Sequence, residues 1–286
     1  MIRTALTHHA PREIAEASAV LAEHGPDAAV LGGGTVLLPA MGRGERTHGH
    51  VVDLRRLELE GVRVSGPEVE IGPMTTYTAL LISAELDGPA ALLRLAANGI
   101  TGGPQLRNQG TIGGSACYAN PASDVPAVLV AADAKLRLEG LDGAREMPAG
   151  EFFRDAYVTA LGRGEILTSI RVPRRPVRVG YAKLKLSESS WPIATAAACV
   201  ESTDGRVVSA TVTVGGVCRT PITIDVSGQL DGQGRLRVGP DELDAWVDQH
   251  MDRPWDDELA PADYRRQVAG AMARRALKQT EEDERR

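Results

Sequence analysis

Two glycine clusters are the residues of this chain whose types and spacing could do chemistry. The first is Gly32-Gly33-Gly34, set between Val30-Leu31 and Thr35-Val36-Leu37-Leu38-Pro39. The second is spread through residues 101–124, where Gly102, Gly103, Gly110, Gly113 and Gly114 stand among turn-forming polar residues. Glycine permits sharp turns and close backbone approach, so such stretches mark places where main chain meets a ligand or another segment. Neither cluster contains a lysine, yet converging backbone N–H groups hold phosphate charge without one. The chemistry implied is binding of an extended anionic ligand, such as a dinucleotide, by two loops.

The familiar nucleotide fingerprints do not describe these loops. From Gly32, the G-x-G-x-x-G pattern requires glycine where Leu37 stands, and the Gly-Lys-Ser/Thr of a P-loop is absent. Ser115, in Gly113-Gly114-Ser115-Ala116-Cys117, lacks the final glycine of a nucleophile elbow. His48, His50 and Asp53 could form a metal set, but two loop histidines without helical spacing read as solvated. Cys117 has no evident base beside it in sequence and reads as packing. With Cys199 and Cys218 it makes three cysteines and no C-x-x-C pair, fewer than an all-thiolate iron–sulfur cluster needs. With no acid–base constellation, a bound cofactor is the economical source of reactivity.

The elements that must position the loops follow from periodicity and punctuation. Pro11 opens a helical pattern with Ile14, Ala17, Val20 and Leu21 on one face, and Gly25 closes it. A strand over 28–31 then delivers the chain into Gly32. A hairpin spans 62–71 across Gly66-Pro67, Thr75 or Thr76 caps a helix reaching Leu81, and a helix over 90–97 ends at Asn98-Gly99. Asp124, ahead of Pro126 and the apolar run from Val128, reads as the N-cap of the next helix. Strands follow at 135–139 and 165–172, and Pro173-Arg174-Arg175-Pro176 reads as a domain boundary. Beyond it, strands over 193–201 and 207–214 pair across Asp204-Gly205. Helices over 240–249 and 261–278 finish the chain, the second turning Tyr264, Val268, Ala271, Met272 and Ala276 to the sheet and its arginines elsewhere. The charged residues 281–286 are expected to fray.

At 286 residues and 43% apolar content the chain has enough material for two domain cores. No apolar run approaches the ~20 residues that span a bilayer, and the N-terminus has no signal core, so a cytoplasmic protein without membrane insertion is expected. A net charge of -6 with interspersed signs gives no basic field for nucleic acid.

With these motifs in place, the chain resembles the FAD-binding subunits of molybdenum hydroxylases, the group that includes medium subunits of aerobic carbon monoxide dehydrogenases and the flavin part of xanthine dehydrogenases. Residues 32–39 resemble the family pattern A-G-G-T-x-L-L-P, and residues 104–114 resemble P-Q-I-R-N-x-G-T-I-G-G. Pro121-Ala122-Ser123-Asp124, Tyr181-x-Lys183-Leu184, Tyr264-Arg265-Arg266 and Arg274-Arg275-Ala276-Leu277 follow in matching order, so the likeness covers nearly the whole chain. Departures are Gly32 for the usual alanine, Val36 for serine, Ser115 for asparagine, and Tyr118 and Asn120 for the histidine and aspartate of an H-A-D-P run.

The resemblance implies an α+β fold: a PCMH-type FAD-binding domain of two α/β subdomains over 1–173, then a C-terminal domain over 177–286 with an antiparallel sheet and helices. It implies noncovalent FAD held at Gly32, Gly33, Gly34, Thr35, Val36 and Leu37 and at Thr111, Ile112, Gly113, Gly114 and Ser115. Asp124 would contact the cofactor, the strand end at Leu167 would flank the adenine, and Lys183 would approach the flavin. No catalytic residue and no metal ligand is assigned. The implied function is electron transfer from iron–sulfur clusters of a partner, through FAD, to an external acceptor. The molybdenum cofactor would reside on a large subunit and the [2Fe-2S] clusters on a small one, in a dimer of heterotrimers. A stand-alone FAD-dependent reductase or oxidase, and a non-catalytic flavin-binding assembly module, are the alternatives.

Overall fold

A computed structural model describes residue 2 and residues 5–282; the end of the tail expected to fray, 283–286, lies outside the described residues. The chain opens with β1 (Thr7–His9), α1 (Ile14–His24), β2 (Ala28–Leu31), α2 (Leu37–Arg43) and β3 (His50–Asp53). The three strands are parallel in the order β1-β3-β2. Helix α1 buries Ala17 and Leu21 and stops at Gly25, which takes a left-handed φ of 51°. Strand β2 has the expected bounds and leads directly into Gly32. Helix α2 is hidden in the sequence, because Pro39 and Gly42 fall inside its seven residues and lower the helical signal.

A second lobe follows. It contains β4 (Val62–Ser65), β5 (Glu68–Ile71), α3 (Tyr77–Ile82), α4 (Ala91–Gly99), α5 (Gly103–Gln109), α6 (Ile112–Tyr118) and α7 (Asp124–Ala131). It continues through β6 (Lys135–Gly140), β7 (Gly143–Pro148), α8 (Ala149–Phe152), β8 (Phe153–Asp155), β9 (Val158–Thr159) and β10 (Ile166–Pro173). Its main sheet runs β4-β5-β10-β6-β7, all antiparallel, while β8 and β9 form a separate small ribbon. Thr76, of the two threonines considered, caps α3: its Oγ1 accepts from the Ala79 amide at 3.2 Å. Thr75 instead ties its hydroxyl to Gly61.

The long glycine stretch is mostly helix. Gly102 and Gly103 turn the chain at φ 91° and 72°, then α5, α6 and the start of α7 follow with short breaks. Thr111 starts α6 by accepting the Gly114 amide on its Oγ1 at 3.1 Å, the side-chain capping that offsets poor glycine propensity. The capping role expected of Asp124 is overturned. Ser123 holds the cap position of α7 and Asp124 is already its first helical residue, so the carboxylate is released for a distant contact.

The chain then builds a four-stranded antiparallel sheet from β11 (Val177–Lys185), β12 (Pro192–Thr203), β13 (Arg206–Gly215) and β14 (Ile222–Asp225), followed by α9 (Pro240–Asp248) and α10 (Ala262–Glu282). Asp204 and Gly205, at φ 51° and 72°, make the two-residue turn between β12 and β13 that their dipeptide signals. Strand β12 carries small residues because both its faces are covered. Ala194, Ala196 and Ala198 meet Ala269, Met272, Ala273 and Ala276 of α10, whereas Ala197 and Cys199 share a core with the helices of the second lobe. At Gly180 the helix comes so close that a Cβ would lie 2.0 Å from the Ala276 carbonyl oxygen.

One expectation for α10 fails. Arg265 is fully buried, not on the outer face: its guanidinium donates to the carbonyls of Ile193, Gly216 and Ala260 and contacts Asp257. Five directional donors can satisfy several strand-end carbonyls together, which amphipathic patterning alone does not capture. Tyr264, expected on the buried face, is 42% exposed. Among the described residues no helix is long and apolar enough to cross a membrane.

Candidate functional site

Strand β2 ends at Leu31, Gly34 adopts a left-handed φ of 71°, and the chain turns through Thr35 and Val36 into α2. The carbonyls of this turn are used: Gly34 accepts from Leu38 at 3.1 Å and Val36 from Ala40 at 3.2 Å. The N–H groups of Gly33, Gly34, Thr35 and Val36 donate to no acceptor among the described residues. Consecutive unpaired amides beside a helix start form a concave positive surface suited to an anion.

The facing wall is built differently. Ile112 donates to the Thr75 carbonyl at 3.0 Å, Gly113 to the Pro73 carbonyl at 2.8 Å, Gly114 to Thr111 Oγ1, and Ser115 to the Thr111 carbonyl at 3.2 Å. These amides already have acceptors, so this second cluster contributes shape more than donors. A Cβ on Gly113 would fall 2.4 Å from Pro73 Cβ, and one on Gly33 would fall 1.9 Å from the Gln109 carbonyl oxygen. The two glycine clusters therefore touch: they are spaced for each other as well as for a ligand.

Between them lies a cleft of about 390 Å³, within the range of small-molecule sites. Of the residues read from sequence, Gly32, Gly33, Gly34, Thr35, Val36, Leu37, Thr111, Gly113, Gly114, Ser115 and Leu167 line it. Ile112 does not; its side chain is 1% exposed in the core of the second lobe. Asp124 and Lys183 do not line it either. Lys183 Nζ sits 2.9 Å from the Asp124 carboxylate and 2.7 Å from the Gly99 carbonyl, and the Tyr181 hydroxyl donates to the same carboxylate. Burial first, then the neighbouring Asp124 charge, raises the Tyr181 hydroxyl well above its ordinary range, so it remains a donor. This buried trio fastens β11 to the start of α7.

Sequence reasoning missed several lining residues. Arg46 is the only lysine or arginine in the lining among the described residues, and its guanidinium lies 5.7 Å from the centre of the Tyr118 ring. Tyr118 packs against Tyr157, and Tyr157 against Trp255, with centroids 5.2 and 6.0 Å apart. Nothing local marks Arg46, which follows α2 in an ordinary polar loop; Tyr118 carried a signal as a departure from H-A-D-P. Cys117 lines the cleft, but burial pushes its thiol up to about 12, so it is no thiolate nucleophile near neutral pH. The Ser115 hydroxyl is engaged by Tyr77. The metal set considered in sequence does not assemble, because the Asp53 carboxylate is taken by Arg55 and His8 while His50 faces His9 and His24.

A cleft with unpaired loop amides, one cation and no activated nucleophile is equipped to hold a ligand. Comparison with known proteins agrees. Residues 4–175 match the family described as FAD binding domain in molybdopterin dehydrogenase. The chain is 38% identical over 281 residues to the carbon monoxide dehydrogenase medium chain of Afipia carboxidovorans, covering 97% of each, and 34% identical to that of Hydrogenophaga pseudoflava, again covering 97% of each. A crystal structure of cyanide-inactivated Cu,Mo-CO dehydrogenase superposes with a TM-score of 0.87 at 35% identity over 99% of both chains. Quinoline 2-oxidoreductase from Pseudomonas putida 86 shares the fold, with a TM-score of 0.88 at 23% identity over 99% of both.

Proposed function

We propose a function from one premise, that the chain belongs to the family of FAD-binding domains in molybdopterin dehydrogenases: it is the FAD-binding electron-transfer subunit of a multi-subunit molybdenum hydroxylase. The observation that carries this reading is the run of unpaired amides from Gly33 to Val36, set across the cleft from the Thr111–Ser115 wall. The residues present fit FAD. Amide donors suit its diphosphate without a lysine, Arg46 adds one exposed cation at the rim, and Leu167 with Ile166 offers an apolar strand end for an aromatic ring. When bound, FAD supplies reversible electron transfer.

This chain's own residues then have positioning roles. Gly32 to Leu37 would hold the diphosphate, Thr111 and Gly113 to Ser115 set the width of the cleft, and Asp124 with Lys183 locks the wall from behind. In the same reading, electrons arrive from the [2Fe-2S] clusters of a small subunit and ultimately from the molybdenum cofactor of a large one, and leave to an external acceptor. The assembly is a cytoplasmic dimer of heterotrimers, and the chain divides into an FAD-binding domain over 1–173 and a C-terminal domain over 177–286.

Purification from the native host tests this. The chain should copurify with molybdenum- and iron-bearing subunits, and acid or heat should release its FAD quantitatively. Substrate added anaerobically, with carbon monoxide as the first candidate because it names two relatives, should bleach the flavin only in the assembled complex. Rapid bleaching in the isolated, metal-free chain would promote the stand-alone reductase. A colourless chain that ignores added FAD would sink the reading and leave the assembly module.

A further inference from the structure

Away from the cleft, three histidines far apart in sequence come together in the first lobe. His9 is the last residue of β1, His24 the last of α1, and His50 the first of β3. His9 Nε2 lies 2.9 Å from His50 Nδ1. The rings of His24 and His50 stack with centroids 3.5 Å apart and planes within 8°. One nitrogen from each residue lies within 4.8 Å of the other two, and all three side chains are half-buried. In a tetrahedral site with metal–nitrogen bonds of about 2.0–2.1 Å, neighbouring ligand nitrogens stand roughly 3.4 Å apart. Binding an ion there requires the His9–His50 hydrogen bond to open and the stacked His24 and His50 rings to turn out of parallel, so that their in-plane lone pairs converge.

We propose that His9, His24 and His50 form a binding site for one divalent late first-row transition ion such as Zn²⁺, with water in the fourth position. Three imidazole nitrogens select this class; Ca²⁺ and Mg²⁺ demand oxygen ligands, which the triad does not offer. The Glu23 carboxylate lies 4.0 Å from His24 Nε2, placed to orient a ligand or a bound water. The ion would act as a staple. Strand β1 is three residues long and pairs only with β3, so a metal bridge to α1 and β3 fixes this edge of the sheet whose β2 strand delivers the glycine loop.

Calorimetric titration of the full chain with Zn²⁺, after treatment with chelator, tests the site. One Zn²⁺ should bind per chain and raise its melting temperature. His9→Gln and His24→Gln should each weaken binding by roughly 100-fold, the upper end of what losing even a ligand's hydrogen-bond partner costs, and should abolish the Zn²⁺-dependent melting shift. His8→Gln, whose imidazole hydrogen-bonds Asp53 at 3.2 Å outside the triad, should bind as the parent does. Far-ultraviolet dichroism confirms that each variant is folded. Absence of Zn²⁺ binding, or binding equally strong in His9→Gln and His24→Gln, overturns the proposal and leaves a packed imidazole stack.

Discussion

Replacing Gly33 by alanine isolates how closely the two glycine clusters must meet. Gly33 does not occupy the left-handed region, so alanine is conformationally allowed and the effect is steric. Its Cβ would lie 1.9 Å from the Gln109 carbonyl oxygen and 2.8 Å from the carbonyl carbon, where real Cβ atoms essentially never come nearer than 3.0 Å. The obstacle is backbone, held by the Gly110 amide donating to Leu106 at 2.7 Å and the Tyr77 amide donating to Gly110 at 3.3 Å. It cannot rotate away, so the loops must separate by about 1 Å. Overpacking of this kind costs about 1–3 kcal/mol. If the loops relax apart in the FAD-free protein and must close again on the cofactor, FAD affinity falls roughly 5- to 150-fold. Titration of the FAD-free chain, followed by flavin fluorescence, measures this, with Gly150→Ala as the control because a Cβ there meets nothing within 4 Å. A folded Gly33→Ala chain that binds FAD like the parent would refute the claim that contact between the loops sets the cleft.

Other perturbations should behave as follows. Lys183→Met strands the Asp124 carboxylate in a site where the two side chains are 8% and 3% exposed, and should cost about 3–5 kcal/mol in urea unfolding. Adding Asp124→Asn should recover part of that loss, and a single-variant cost below about 1 kcal/mol would contradict the burial argument. Arg46→Ala should weaken FAD binding roughly tenfold, as expected for loss of a charge-assisted hydrogen bond of ~1.5 kcal/mol. That deficit should shrink at high salt, because Arg46 is exposed; a salt-independent deficit would point to lost packing on Tyr118. At Asp53, burial alone would raise the carboxyl, but hydrogen bonds from Arg55 and His8 outweigh it and hold it at about 2. A depressed carboxyl stabilises the fold fully above its unfolded value, about 3.9, and loses that contribution as pH falls through about 2. The stability gap between parent and Asp53→Asn should therefore be widest near neutral pH and close toward pH 2, and a gap that widens on acidification would reverse the assignment.

Local signals were legible wherever a short stretch determines its own backbone. Residues 28–31 form β2, the hairpin over 62–71 forms β4 and β5, and Asp204-Gly205 makes its turn. The glycine loop at 32–34 stands out in sequence because three glycines directly follow an apolar strand, and the structure places it along the cleft. Residues 101–124 read as loop in sequence because glycine content argues for turns, while α6 is sustained by the Thr111 cap and by Gly113 packed against Pro73. Arg46, Tyr157 and the histidine triad reach their neighbours only through the tertiary fold, and nothing within a few residues of them encodes that. Arg265 shows the same limit: its acceptors at Ile193 and Gly216 lie 72 and 49 residues away.

The position of Asp124 explains why the C-terminal sheet matters to a cleft it does not line. Helix α6 ends at Tyr118 in the cleft, Ala119 turns the chain in the left-handed region at φ 48°, and α7 begins at Asp124. That short connection is held at its far end by Lys183 and Tyr181 of β11, while the Asn120 side chain fixes its middle by accepting the Ala122 amide at 3.0 Å. The Lys183 ammonium also binds the Gly99 carbonyl at the end of α4, so one side chain joins the segments before and after the second glycine cluster. The wall facing the Gly33–Val36 amides is thus clamped at both ends from the C-terminal sheet. Loss of the Lys183 clamp should loosen the cleft as well as the contact between β11 and α7, even though no atom of Lys183 enters the cleft.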